Sequence, residues 1–334
     1  MTRPAFYLLH ALLAAQLGSQ ICLADEHSSR LAPLPELHYI DRQSLPNFEI
    51  GGRPARIHTQ GLFVTDRYYY VTGRLERNPR RPLLVRFDRA NLSAVEHVDL
   101  LVASGAAVRS DAIHRVSPFV VTRFIASLAD DAALDHPGGF DFDGRSFWIP
   151  LAASRPNSNS LIVRVRPEPG QPLAAAKAKS VFRLDDHIGA IACDITTGRL
   201  YGANWDTRLI YVWNPDGTLI EKFPQTDLSP KNPDRAFAVQ DWKGLGNQRI
   251  LAGASDKNPR RRPAESKAVL QLLDMATHRE AALIRLTSPP DRDILLTHEG
   301  MALSGDHVFF LPADLGTNAE VLRYRWSKPL SCTK

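Results

Sequence analysis

The chain has 334 residues, 44% of them hydrophobic, 23% charged and 8% aromatic, with a formal net charge of +5. That composition excludes a disordered tail protein, a collagen-like fibre and a small disulfide-stapled domain. The 24 prolines and 20 glycines argue for many turns and against a helical bundle.

Residues 1–24 read as a secretory signal peptide. Arg3 is the only charge, an apolar run follows through Leu12-Leu13-Ala14-Ala15, and Cys22-Leu23-Ala24 precedes acidic Asp25-Glu26. Cleavage after Ala24 would place a single domain, residues 25–334, in the periplasm or outside the cell. The apolar run is too short and interrupted for a membrane span, and no later segment approaches the roughly 18 apolar residues a span needs. Two cysteines remain after cleavage, Cys193 and Cys332, and an oxidising compartment would allow them to bond. Arg80-Arg81 and Arg260-Arg261-Arg262 lie between prolines and read as solvated loops; no nucleic-acid motif accompanies them.

Beyond residue 36 the chain repeats itself. Four segments start alike: His58-Thr59-Gln60-Gly61-Leu62, His136-Pro137-Gly138-Gly139-Phe140, His187-Ile188-Gly189-Ala190-Ile191 and His298-Glu299-Gly300-Met301-Ala302. Each is followed by a polar turn and a β-rich run. Counting from the histidine, Tyr69, Phe147 and Phe309 all stand at +11, and a longer turn shifts Leu200 to +13. A fifth copy, Phe237-Ala238-Val239-Gln240-Asp241, lacks the histidine and puts Phe237 or Val239 in its place. A third strand follows in every copy, for example Leu83–Phe87 and Leu161–Val165, and a fourth in the first four copies, for example Leu219–Phe223.

A unit of four antiparallel strands cannot bury both faces alone. Recurring about every 50 to 60 residues, it predicts the blade of an all-β propeller, stacked radially around an axis. Five blades are readable. Residues 101–135 fit the template poorly and are either a degenerate sixth blade or a lid over the channel. The last copy has three strands, and Leu37–Asp41 is expected to supply the fourth, closing the ring and protecting an open edge.

In such a ring the first strand of each blade lines the central channel, so equivalent residues at its start meet at one end. His58, His136, His187 and His298 are the candidates for a divalent metal ion, because neutral imidazoles suit transition metals. Glu299 and His298 are the candidate acid and base, and Gln60, Asp141, Gln240 and Asp241 the candidate ligand-binding groups. Three readings stay open: histidines that only bond neighbouring turns, an axial metal, and a metal-free pocket for a small polar molecule. A hydrolase elbow, a zincin helix, a dinucleotide fingerprint and a phosphate loop are all missing.

These stretches resemble a family of exported bacterial propeller proteins of uncharacterised function. His58-Thr59-Gln60-Gly61-Leu62 is also similar to a segment of plant-type glutaminyl cyclotransferases, which are five-bladed propellers, and Thr297–Ala302 resembles the Glu-Gly segment of esterase-like phytase propellers. The resemblance implies the architecture and carries no activity. The expectation is a small polar ligand at the channel, with metal-dependent hydrolase or lyase chemistry. A non-catalytic binding or scaffold protein and a four-histidine oxygenase are the alternatives.

Overall fold

The computed structural model describes residues 35–105, 134–228, 237–256 and 267–328. The proposed signal peptide, Arg260–Arg262, Cys332 and nearly all of the 101–135 segment lie outside the described residues. Within them the chain forms five antiparallel sheets of the predicted kind.

The first strand, β1 (Leu37–Ser44), stands apart in sequence from its sheet. Blade I follows as β2 (Ile57–Val64), β3 (Tyr68–Leu75), β4 (Arg81–Asp88) and β5 (Val95–Asp99). Blade II opens with two short pieces, β6 (His136–Pro137) and β7 (Asp141–Phe142), both paired to β8 (Phe147–Ala152), then β9 (Ser160–Arg166) and β10 (Lys177–Leu184). Blade III is β11 (Ile188–Cys193), β12 (Leu200–Asn204), β13 (Leu209–Trp213) and β14 (Leu219–Pro224). Blade IV is β15 (Phe237–Gly246), β16 (Arg249–Asp256), β17 (Lys267–Asp274) and β18 (Arg279–Arg285). Blade V is β19 (Gly300–Ser304), β20 (His307–Leu311) and β21 (Glu320–Trp326), completed by β1 in antiparallel register, Leu37 opposite Trp326. The ring therefore closes by exchange of the N-terminal strand, as the missing fourth strand of the last copy required.

Alternation of side chains along each strand explains how the blades stack. Residues at period two point to opposite faces of a sheet. Tyr69, Val71 and Phe87 of blade I pack against Phe309 and Leu311 of blade V, whereas Tyr70 and Leu84 pack against Phe147, Ile149 and Val163 of blade II. Trp148 and Ile162 turn the other way, toward Tyr211 and Trp213 of blade III. Two further clusters fill the gaps between blades III and IV and between IV and V. The core is thus five slabs, one between each pair of neighbours, and both faces of the middle strands are apolar.

Near the axis the innermost strands approach too closely for side chains. A Cβ on Gly138 would lie 2.2 Å from the Gly189 carbonyl oxygen, and one on Gly300 would lie 2.7 Å from the Gly61 backbone. Glycine is required there by contact distance. Backbone hydrogen bonds then link strands of different blades, with Gly139 N–H donating to Gly189 O at 2.9 Å and Ile191 N–H to Gly139 O at 3.1 Å.

A buried polar network crosses the same region. The Asp241 carboxylate accepts from the Leu62 amide at 3.1 Å and the Met301 amide at 2.9 Å, and its other oxygen meets Lys243 Nζ at 2.6 Å. Lys243 Nζ also donates to the Phe140 carbonyl. Asp141 accepts from the amides of Cys193 at 2.9 Å and Gly244 at 2.8 Å. Each innermost strand is therefore tied to at least one other through these three side chains. Burial pushes the Asp241 carboxyl up to about 6 against the opposing pull of Lys243, and pushes Asp141 in the same direction. Removing one member of a buried pair leaves the other uncompensated. Lys243→Met is expected to destabilise the fold by about 3–5 kcal/mol, read by urea denaturation; a loss below about 1 kcal/mol, the level of a surface ion pair, would contradict the assigned role.

Candidate functional site

Three of the innermost strands carry one extra residue near the channel mouth. The register of β2 against β3 slips between Thr59 and Gly61, that of β11 against β12 between Ile188 and Ala190, and that of β15 against β16 between Val239 and Asp241. The inserted residues are Gln60, Gly189 and Gln240. Blade II breaks its strand altogether between Pro137 and Asp141. Such bulges re-aim neighbouring side chains. Two places before each inserted residue stand His58, His187 and Ala238, and His136 holds the equivalent place in blade II. Ala238, with no polar side chain, therefore occupies the position the sequence assigned to Phe237 or Val239.

The fifth blade is out of step. Gly300 packs on Gly61, Leu303 pairs with Val308, and Val64 pairs with Tyr69. Val308, not Phe309, is thus the counterpart of Tyr69, and Thr297, not His298, the counterpart of His58. Thr297 is buried and its hydroxyl donates to the Ala254 carbonyl at 2.6 Å. His298 stands one residue later, with its side chain 57% exposed on the rim.

All four histidines nevertheless line one cavity of about 230 Å³, together with Gln60, Gln240 and Glu299. Its walls differ chemically. On one wall His136 lies between His58 and His187, with ring centroids 5.7 Å and 5.8 Å away. Burial drives His136 down to about 3 and lowers His187 as well, so both are neutral near pH 7. His187 Nδ1 lies 2.9 Å from the Arg155 carbonyl; a carbonyl only accepts, so this nitrogen carries the proton and Nε2 the lone pair. His136 Nδ1 is buried without a hydrogen-bond partner among the described residues.

The opposite wall is a chain of hydrogen bonds. Asp314 Oδ1 lies 3.0 Å from His58 Nδ1 and accepts from the Thr59 amide at 3.0 Å. Gln60 Nε2 lies 3.0 Å from His58 Nε2 and donates to Glu299 Oε2 at 3.2 Å. Glu299 Oε1 lies 2.8 Å from His298 Nδ1. The bond to Asp314 raises the His58 pKa, while Asp314 itself is held low. Burial, as the largest influence, raises the Glu299 carboxyl.

The third side is the loop after β12. Asp206 and Thr207 take positive φ values of 56° and 57°, a conformation that costs a β-branched residue such as threonine about 1–3 kcal/mol. It is held by the Trp205 amide on the His187 carbonyl at 2.9 Å and the Val239 amide on Thr207 Oγ1 at 3.1 Å. The Trp205 ring meets His187 edge-on at 4.7 Å. Strain of this kind is typical of backbone held in place around a binding site.

The sequence model of a family of unknown function, DUF6454, matches residues 92–291, more than half of the chain. The chain belongs to the DUF6454 family. No curated protein matches it. Among solved structures, it is similar to a member of the DUF4221 family from Bacteroides vulgatus, at 8% identity and a TM-score of 0.41, covering 89% of this chain and 99% of that one. It is also similar to a luciferin-regenerating enzyme, at 10% identity and a TM-score of 0.40, covering 83% and 80% of the two chains. A third is puromycin hydrolase, at 14% identity and a TM-score of 0.40; 80% of this chain is covered, which spans only 35% of the hydrolase.

Of the residues singled out in the sequence of this DUF6454 protein, His58, His136, His187, His298, Gln60, Gln240 and Glu299 meet at the mouth. Asp141 and Asp241 do not line it; their carboxylates are held by backbone amides and Lys243 in the network between strands. The four imidazoles share the cavity without forming one tight cage. Among the described residues, the group whose ligand atoms all lie within 4.8 Å of one another is His58, Glu299 and Asp314. Asp314 lies in the loop between β20 and β21, outside any repeat, so no spacing pointed to it. Cys193 is a free, buried thiol beneath the mouth, and burial raises its pKa well above the ordinary value.

Opposite shifts predict opposite pH effects. His136 is harder to protonate folded than unfolded, so its contribution to stability is complete above about pH 6.5 and is lost as pH falls toward about 3. His58 is easier to protonate folded, so its contribution is complete below about pH 6.5 and is lost as pH rises through its raised value. An NMR pH titration should find the His136 ring neutral at pH 5 while His58 titrates above the ordinary histidine value. A His136 ring that protonates near pH 6.5 would refute its placement in the wall.

Proposed function

We propose that the channel mouth of this DUF6454 propeller binds a small polar molecule and acts on it by acid–base chemistry, as a hydrolase or lyase exported from the cytoplasm. One observation carries the catalytic reading. A buried carboxylate, Glu299, is hydrogen-bonded at 2.8 Å to an imidazole, His298, that stands exposed at the rim of the cavity.

In that arrangement His298 Nδ1–H faces Glu299, which leaves the Nε2 lone pair as the base. Glu299 orients the ring and favours the imidazolium that forms once a proton is taken. Water is the nucleophile to be activated in hydrolysis, and a carbon-bound proton the group to be removed in elimination. Gln60, Gln240, His136 and His187 surround the same space with hydrogen-bonding groups. The neutral imidazoles offer lone pairs and no charge, which suits a ligand with hydroxyl or amine donors.

Export rests on the sequence: a charged start, an apolar run and the Cys22-Leu23-Ala24 end.

The test is turnover of a panel of nitrophenyl esters and phosphate esters, lactones and small amides by purified protein. The responsive substrate should lose roughly 10²–10⁴-fold in kcat/KM with His298→Gln, the usual scale for one acid–base group, and a comparable factor with Glu299→Gln. Turnover unchanged in both variants would overturn the assignment. Absence of turnover, together with no thermal shift from any member, would favour a binding or scaffold role instead.

A further inference from the structure

We infer that His58, Glu299 and Asp314 hold one divalent metal ion of the class that accepts mixed nitrogen and carboxylate ligands, such as zinc or manganese. The inference rests on the mouth being a ligand site and replaces the four-histidine ring with a different donor set. Blade V supplies both carboxylates and blade I one imidazole.

Spacing is the first ground. Two donors each about 2.1 Å from a zinc ion, at tetrahedral or right angles, lie roughly 3.0–3.4 Å from one another. His58 Nδ1 and Asp314 Oδ1 are 3.0 Å apart, and the nearest ligand atoms of all three residues fall within 4.8 Å. A small inward movement of Glu299 completes the approach. Chemistry is the second ground. One imidazole and two carboxylates neutralise a divalent ion and match the hard-to-borderline donors that zinc and manganese take.

Each donor is also held by a further partner, as ligating groups commonly are. The Thr59 amide donates to Asp314, the Gln60 amide group lies against both His58 and Glu299, and His298 sits on the second oxygen of Glu299. A third ground is independent of the cluster. His136 is nine-tenths buried, lines the same cavity with its ring 5.7 Å from that of His58, and its Nδ1 has no hydrogen-bond partner among the described residues. A buried nitrogen left without a partner is unfavourable. The His136 ring, kept neutral by burial, also leaves the space beside His58 without a competing positive charge. The bound ion would also place a Lewis acid next to the base proposed at His298.

The experiment uses the full mature chain, stripped with EDTA, dialysed, and titrated separately with Zn2+ and Mn2+ by calorimetry, with metal content counted by mass spectrometry. One equivalent of at least one ion should bind, with a rise in melting temperature that grows with free metal. Asp314→Asn and Asp314→Ala, which leave the His298–Glu299 pair intact, should weaken that equivalent at least 100-fold. His278→Ala, in the β17–β18 turn where the ring stacks on Phe223 of blade III and does not line the mouth, should leave it unchanged. Circular dichroism establishes that each variant is folded, and the conservative Asp314→Asn serves if the alanine variant is not. No binding of either ion by folded wild-type chain at micromolar free metal overturns the inference. So does one equivalent whose affinity is the same in both Asp314 variants. The outcome separates from the acid–base reading. Panel turnover that persists in EDTA without metal binding removes the metal and keeps the base. One equivalent bound with no panel substrate turned over does the reverse.

Discussion

Three buried side chains near the axis, Asp241, Lys243 and Asp141, are the constraint on which the propeller depends. In a ring of repeats each unit touches only its two neighbours, and the apolar slabs between them fix distances without fixing register. The carboxylate of Asp241 reaches blades I and V, Lys243 reaches blade II, and Asp141 reaches blades III and IV. Taking three such groups out of water costs several kcal/mol per ion, offset only where charge-assisted bonds have the right geometry. A blade shifted by one residue would lose those bonds while merely exchanging one apolar face for the other. The network thus selects one alignment of five strands that apolar packing alone would leave less defined. It also closes the channel beneath the mouth with polar groups that already have partners.

That division of labour explains which residues were legible in the sequence. The blades were readable because alternation and turn chemistry are local, and because the recurring histidine and aromatic run mark the same place in successive copies. The missing fourth strand was readable because a repeat count leaves a remainder. Depth along the axis was not readable. Asp141 and Asp241 share their residue type with groups that bind ligands, and only the fold shows that backbone amides of other blades surround them. The one-residue offset of His298 was hidden for a related reason. Phe309 stands at +11 from His298 as Tyr69 does from His58, but the two hairpins have the same length and place Val308 opposite Leu303 where Tyr69 stands opposite Val64, so it is the histidine that has moved by one residue. Asp314 left no signal at all, since a loop residue with no equivalent in other blades has nothing to be compared with.

A symmetric scaffold has produced an asymmetric mouth. Blades I and V contribute the titratable side, Asp314, His58, Gln60 and Glu299, joined in one hydrogen-bonded chain. Blades II and III contribute imidazoles that burial keeps neutral. Blade IV contributes Ala238 and Gln240, and so leaves one sector without a ring. A bound molecule would meet carboxylate on one side and lone-pair nitrogen on the other, and could not be turned around without changing every contact. The strained Asn204–Thr207 loop narrows the third side, adding shape to that polarity.

The repeated histidine itself separates a structural origin from a chemical one. If the residue recurred only to tie down a neighbouring turn, each copy would make the same kind of bond. His187 does this, with Nδ1 on the Arg155 carbonyl. His58 Nδ1 likewise meets the corresponding loop of its neighbour, but through the Asp314 carboxylate and with Gln60 on its other nitrogen, and His136 Nδ1 is buried without a partner among the described residues. Blade V has threonine at the position and carries its imidazole one step further out, on a buried glutamate. Four copies of one sequence feature have therefore come to four different environments around one cavity. Tying down a neighbouring turn accounts for His58 and His187 but not for His136 or His298, and under the proposed function those two supply a neutral acceptor and the base at the same cavity.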